Sequence, residues 1–128
     1  MPETRILLVD DEDSFRTITA RELQRVGYAV DTAGTLEQAR AALAGRSYHL
    51  VLLDVRLPDG SGLELLEDIR SSLPATQVVM LTAYGTVQEA IQAMRKGAHD
   101  FLSKPCKLGE LEVVLERALE VSHLERGN

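Results

Sequence analysis

Only one cysteine, Cys106, is present, so no internal disulfide framework can staple this chain, and the usage fits a reducing compartment. Without a CxxC partner, Cys106 reads as a small loop residue rather than a redox centre. No apolar run approaches the ~20 residues that a membrane span requires. The start, Met1-Pro-Glu-Thr-Arg, carries no apolar signal core, so the expected location is the cytoplasm, away from any membrane. Positive charge is also in short supply: 14 Lys and Arg stand against 20 Asp and Glu, for a formal net charge of -6. The basic residues are scattered, and phosphate backbones are bound by clustered ones, so this chain is expected to make no direct nucleic-acid contact. Internal repeats and low-complexity tracts are missing as well, and 128 residues leave room for one folded domain.

What is there is a pattern of four apolar runs, each stopping on a polar residue. Ile6 to Val9 stops on Asp10 and Asp11, and Leu50 to Leu53 on Asp54. Val78 to Leu81 stops on Thr82, and Phe101 to Leu102 on Ser103 and Lys104. Short leucine-rich or β-branched runs between turn signals read as buried strands of a parallel sheet. Ligand and catalytic groups collect at the carboxyl ends of such strands.

Segments of helical periodicity alternate with these runs. Phe15, Ile18, Leu23 and Val26 mark the first helix, with Gly27 as its stop. A strand from Tyr28 to Ala33 follows. Thr35 then opens a helix as a capping-box candidate with Gln38, with Leu36, Ala39 and Leu43 as its buried stripe and Gly45 at its end. The segment Leu57-Pro58-Asp59-Gly60-Ser61-Gly62 is rich in turn formers and reads as a loop before a helix over about Leu63 to Ser72, closed by Pro74. Val87, Ala90, Ile91 and Met94 give a fourth helix its apolar stripe, with Gly97 beyond its last turn. The final helix, about Lys107 to Arg126, carries Leu108, Leu111, Val114, Leu115, Ala118 and Leu119 on one side. At ~30 Å it would outrun strands of ~17 to 20 Å and project past the sheet, offering Leu111, Ala118 and Leu124 for a dimer contact or a linker. The expected fold is thus α/β: a flavodoxin-like, doubly wound, five-stranded parallel sheet of order 2-1-3-4-5 with five helices. That order sets Asp10 and Asp11 beside Asp54 at the switch point, with Thr82 and Lys104 continuing the rim.

Three carboxylates at one edge repel one another, by about 3 kcal/mol per pair at ~5 Å and an effective dielectric near 20. They call for a cation or a raised pKa. Oxygen-only ligands with no nearby His or Cys favour a hard ion, and so few carboxylates with room for water suit Mg2+ better than Ca2+. An EF-hand reading of Asp11-Glu12-Asp13 fails because Arg16 stands where that loop needs Gly. A divalent cation, an opposing Lys and a hydroxyl between them can hold a phosphoryl group while a carboxylate attacks in line. Asp54, alone at the end of a central strand, is the best nucleophile candidate, and Asp10 with Asp11 reads as a metal-holding pair. Taken singly, each has a plainer alternative: Asp10, Asp11 and Asp54 as cap or turn residues, Thr82 as a loop hydroxyl, Lys104 as a solvated charge. Their joint placement at one edge favours the site.

The motifs Leu7-Leu8-Val9-Asp10-Asp11-Glu12, Leu52-Leu53-Asp54-Val55-Arg56-Leu57-Pro58-Asp59-Gly60, Met80-Leu81-Thr82-Ala83 and Phe101-Leu102-Ser103-Lys104-Pro105 resemble, as a set, the receiver domain of two-component response regulators. The resemblance covers essentially the whole chain. It implies that Asp54 is the phosphoacceptor and that Mg2+ is held by Asp11 directly, Asp10 through water, Asp54 and the backbone carbonyl of Arg56. It further implies that Thr82 and Lys104 contact the phosphoryl oxygens, that Lys104 and Pro105 share a cis peptide bond, and that Phe101 is the switch aromatic. Thr82-Ala83-Tyr84-Gly85 and Lys96-Gly97-Ala98-His99-Asp100-Phe101 are most similar to receivers of NtrC-type activators, which drive sigma-N-dependent transcription through an AAA+ ATPase. No Gly-x-x-x-x-Gly-Lys-Ser/Thr loop occurs here, so such an ATPase would lie beyond Asn128.

The expected function is a phosphorylation switch in bacterial signal transduction rather than a free-standing enzyme. A sensor histidine kinase would phosphorylate Asp54. Thr82 and Phe101 would then reshape the helix 4/strand 5/helix 5 face that meets an output domain or target protein, with a homodimer as a further expectation. Arg56 and Tyr84 are candidates to tune the lifetime of the phosphate. Residues 1–122 are expected to form the receiver, and 123–128 to end the last helix and begin a linker. The competing readings are a stand-alone chemotaxis-type receiver, a module that docks without phosphorylation, and a small phosphatase or phosphotransferase, for which no cap insertion is seen.

Overall fold

A computed structural model describes residues 3–83 and 85–122. Five strands, β1 (Arg5–Val9), β2 (Ala29–Ala33), β3 (Leu50–Leu53), β4 (Gln77–Thr82) and β5 (Asp100–Ser103), alternate with five helices. These are α1 (Asp13–Val26), α2 (Leu36–Gly45), α3 (Gly62–Ser72), α4 (Val87–Arg95) and α5 (Leu108–Glu120). The sheet order is β2-β1-β3-β4-β5, every pairing is parallel, and the expected topology is the observed one.

Alternation along the strands divides the core in two, because successive side chains point to opposite faces. Leu7, Val9, Val51, Leu53, Val78 and Met80 face one side and are covered by Leu36 and Ala39 of α2, Leu63, Leu65, Leu66 and Ile69 of α3, and Ala93 of α4. Ile6, Leu8, Leu50, Leu52, Val79 and Leu81 face the other, beneath Ala20 and Leu23 of α1 and Leu111, Leu115, Ala118 and Leu119 of α5. Truncating one of these fully buried leucines to Ala would cost about 2 to 5 kcal/mol.

Several local expectations are corrected. The segment after Asp54 is not a plain loop: Arg56–Leu57 pairs antiparallel with Gly60–Ser61 around Pro58 and Asp59. Thr35 caps α2 by accepting from the Gln38 amide, but the Gln38 side chain accepts from Gly34 rather than Thr35, so the box closes one residue early. Ile18 and Val26 of α1 are exposed. On α4 the stripe is turned outward, with Val87, Ile91 and Met94 77%, 46% and 48% exposed. Ala93 faces the core instead, because its small side chain lets the short helix lie close against its neighbours.

The last helix is also shorter than expected. Among the described residues α5 stops at Glu120, where the Val121 and Ser122 amides turn back to the Ala118 and Leu119 carbonyls and the Ser122 hydroxyl donates to Ala75. Thirteen residues rise ~20 Å, about the length of the strands, so the described helix does not project. Leu111 and Ala118 are buried against the sheet and cannot serve a second copy. Leu124 and the expected linker 123–128 lie outside the described residues.

Candidate functional site

The sheet's own ladder places the polar residues. One hydrogen bond past each strand end, the Asp10 amide donates to Ala33, the Asp54 amide to Val9 and the Lys104 amide to Thr82, at 3.0, 3.0 and 2.9 Å. Asp10, Asp54, Thr82 and Lys104 are therefore held by backbone before any side-chain contact forms. Behind Asp54 the Gly62 amide donates to Val55, and a Cβ on Gly62 would run into the Asp54 carbonyl, so this corner admits only glycine.

The side chains converge. Lys104 Nζ lies 2.5 Å from Asp10 Oδ2 and 3.6 Å from Asp54 Oδ2, with Glu12 Oε1 at 3.8 Å. Asp10 Oδ1 accepts from the Glu12 amide at 2.9 Å. The Thr82 hydroxyl hydrogen-bonds the Asp54 carboxylate, and the Arg56 amide approaches Asp54 Oδ1 at 3.4 Å. Asp10, Asp54 and Thr82 are buried, whereas Asp11 is exposed and, among the described residues, its carboxylate has no hydrogen bond or ion pair. Burial raises the Asp54 carboxyl above the usual range and the neighbouring Asp10 charge adds to this, while Lys104, the Thr82 hydroxyl and the Arg56 amide pull it back.

Asp10, Asp11 and Asp54 each offer a carboxylate oxygen, and these oxygens lie within 4.8 Å of one another. Such a hard, oxygen-only set fits Mg2+ and no soft metal. The Lys104–Pro105 peptide bond is cis. Phe101 is half-buried on β5, with its ring edge against Gly85 and beside the Thr82 methyl. Tyr84 lies outside the described residues.

Four participants escaped the sequence reading. Phe15 carries Lys104 Nζ 4.1 Å from its ring centroid, a cation–π contact worth roughly 0.5 to 2 kcal/mol. The Arg16 guanidinium donates to the Asp10 carbonyl at 2.7 Å. Asp59, at the hairpin tip, caps α2 from outside by accepting from the Leu36 and Glu37 amides at 2.8 and 3.0 Å. Glu89 of α4 pairs with Arg56. Each contact except that of Arg16 joins residues over 20 apart, where no local spacing rule operates; Arg16 could have been suspected from its place one turn after the acid pair.

Residues 6–116 match the family model of the response regulator receiver domain. Over 125 residues the chain is 42% identical to the response regulator protein PilR of Pseudomonas aeruginosa, covering 98% of this chain and 28% of PilR. A CheY-like receiver domain protein from Methanospirillum hungatei superposes with a TM-score of 0.90 at 29% identity, over 93% of this chain and 95% of that one. The beryllofluoride-activated NtrC4 receiver domain dimer superposes at 0.86 and 34% identity, over 91% of this chain and 97% of that one. Four strand ends that the sequence writes far apart thus meet in one acidic corner, and the chain belongs to the response regulator receiver domain family, with NtrC-type regulators among its relatives.

Proposed function

We propose that this domain is a phosphorylation switch in which Asp54 takes a phosphoryl group from the phosphohistidine of a sensor histidine kinase. One observation carries the reading: Lys104 Nζ reaches Asp10 and Asp54 together while the Thr82 hydroxyl bonds the same Asp54 carboxylate. One Asp54 carboxylate oxygen would attack phosphorus in line, forming an acyl phosphate as the P–N bond breaks and the imidazole leaves. Asp11, Asp54 and the Arg56 carbonyl would hold Mg2+, with Asp10 acting through water because both its oxygens already accept bonds. Bound there, Mg2+ would neutralise the acid cluster and the transferring oxygens. Lys104 would follow the new charge from Asp54 to a phosphoryl oxygen, and Thr82 would donate to another.

The acyl phosphate would bias a two-state domain through Thr82 and Phe101, which already touch the same glycine, Gly85. The readout is the face of α4, β5 and α5, where the outward stripe Val87, Ile91 and Met94 supports contact with an output domain, a target protein or a second copy. The output we infer is transcription, supported by relatives whose names are transcriptional regulatory proteins, AlgB of Pseudomonas aeruginosa at 40% identity and ZraR of Escherichia coli O157:H7 at 39%. Residues 1–122 form the receiver unit in this reading, and Arg56 and Tyr84 govern water access to the phosphate. The chain acts on no free substrate and assists only its own phosphorylation and dephosphorylation.

Incubation with acetyl phosphate and Mg2+ followed by intact-mass measurement tests this. One added phosphoryl group is expected, absent in Asp54→Asn; no addition, or one that survives that substitution, rejects it.

A further inference from the structure

We propose that Arg16 is a positioning residue for the acid pair, setting the direction of Asp11 by clamping the peptide that joins it to Asp10. The inference rests on Asp10, Asp11 and Asp54 being a divalent-cation site. Arg16 belongs to the first turns of α1, and long helical side chains lean back toward the helix N-terminus. Its guanidinium spans the β1–α1 connection: Nη1 donates to the Asp10 carbonyl at 2.7 Å, and Nη2 pairs with Asp13 Oδ1 at 2.5 Å. The side chain is only 21% exposed, and a Cβ at Gly34, in the neighbouring β2–α2 turn, would come within 3.1 Å of Nη1. The fork is thus seated between two loops.

The two acids depend on this clamp unequally. The Asp10 side chain is fixed by Lys104 and by the Glu12 amide, and its own amide by Ala33. Asp11 has no such partner among the described residues, so its carboxylate points where the backbone sends it. The carbonyl that Arg16 holds belongs to the Asp10–Asp11 peptide plane, and a held plane fixes the Asp11 Cα. Two effects of Arg16 on a cation therefore oppose each other. Its positive charge repels Mg2+, whereas its hydrogen bond pre-organises a ligand, and the sign of the mutational effect shows which prevails. Lysine keeps the charge but cannot bridge two acceptors as a planar fork does.

The test is Mg2+ binding to the unphosphorylated chain, measured by calorimetry and by amide chemical shifts at Asp11 and Glu12. Positioning predicts that Arg16→Lys and Arg16→Gln both raise the Mg2+ dissociation constant, on the order of tenfold, as loss of an outer-shell partner does. Phosphorylation by acetyl phosphate should slow by the same factor at low Mg2+ and recover at saturating Mg2+, a split that general destabilisation would not give. Gly34→Ala crowds the guanidinium without altering charge and should weaken binding in the same direction by a smaller factor; it decides the matter should the Arg16 variants fail to fold. Unchanged affinity in Arg16→Lys, or tighter binding in Arg16→Gln, overturns the proposal. No Mg2+ binding by the unaltered chain removes the cation-site reading itself.

Discussion

Arg56 and Glu89 join the loop after Asp54 to the start of α4: Arg56 Nη2 lies 3.1 and 3.3 Å from the two Glu89 oxygens. Glu89 is already engaged in a capping box, accepting from the Thr86 amide while its own amide donates to the Thr86 hydroxyl, both at 3.0 Å. A half-exposed ion pair contributes about 0.2 to 1 kcal/mol and a cap about 1 kcal/mol, so the box should dominate. Glu89→Gln keeps the box, which accepts Gln, and loses only the ion pair. Hydrogen exchange at Ala90 should quicken about twofold in Glu89→Gln and roughly tenfold in Glu89→Ala. Equal acceleration in both would show that the ion pair, not the cap, anchors α4.

Asp54 should weaken the fold at neutral pH. Its folded pKa is raised, first by burial and then by Asp10. A carboxyl of that kind contributes stability below its unfolded pKa and loses it as pH rises through the folded value. Asp54→Asn should therefore melt higher than the unaltered chain at pH 7, by a few degrees. The gap should close as pH falls below 4. A lower melting temperature for Asp54→Asn at pH 7 would mean that Lys104 and Thr82 outweigh burial.

Asp59 has the opposite sign. The Leu36 and Glu37 amides hold its carboxyl below the usual range, so the stability it contributes is present above the unfolded pKa and is lost as pH falls through the lowered folded value. Asp59→Ala should lower the melting temperature by a few degrees at pH 7 and by progressively less as pH falls through the lowered folded value. Because Asp59 is fully exposed, high salt should shrink the effect. A deficit that does not shrink as pH falls would implicate the turn instead of the cap.

Strand ends and helix stops were legible because they are local. Apolar runs, Gly27 and the Thr35 and Ser61 regions each act within a few residues, and β1, β3 and β4 follow from them directly. Which way the α4 stripe faces was not legible, for a reason of the same kind. A period of 3.6 shows that Val87, Ile91 and Met94 share a face, but not whether that face meets the core, and alanine packing gave the core to Ala93. The α5 end was misjudged because apolar residues continue past Glu120 while the chain turns to bond Ala75. In the site, the strand-end residues could be read in order, whereas Phe15 beneath Lys104 and Asp59 on α2 are products of tertiary folding.

Gly85 offers the sharpest probe of how the two proposed switch residues are coupled. A Cβ there would lie 2.7 Å from the Thr82 methyl carbon and 2.7 Å from Phe101 Cζ, so one of them must yield in Gly85→Ala. Thr82 is β-branched, buried and bonded to Asp54, which makes it the stiffer neighbour. The half-buried Phe101 ring should swing away, at a cost of about 1 to 3 kcal/mol. Phe15 and Phe101 are the two phenylalanines of the chain, so aromatic NMR can follow the ring directly. Phe101 signals should shift while those of Phe15 and the Thr82 methyl stay in place. Adding Phe101→Leu should relieve the clash, giving a coupling energy of at least about 0.5 kcal/mol in the double-mutant cycle. Strict additivity, or a displaced Thr82 methyl with an unmoved ring, would show that Thr82 and not Phe101 is the compliant partner.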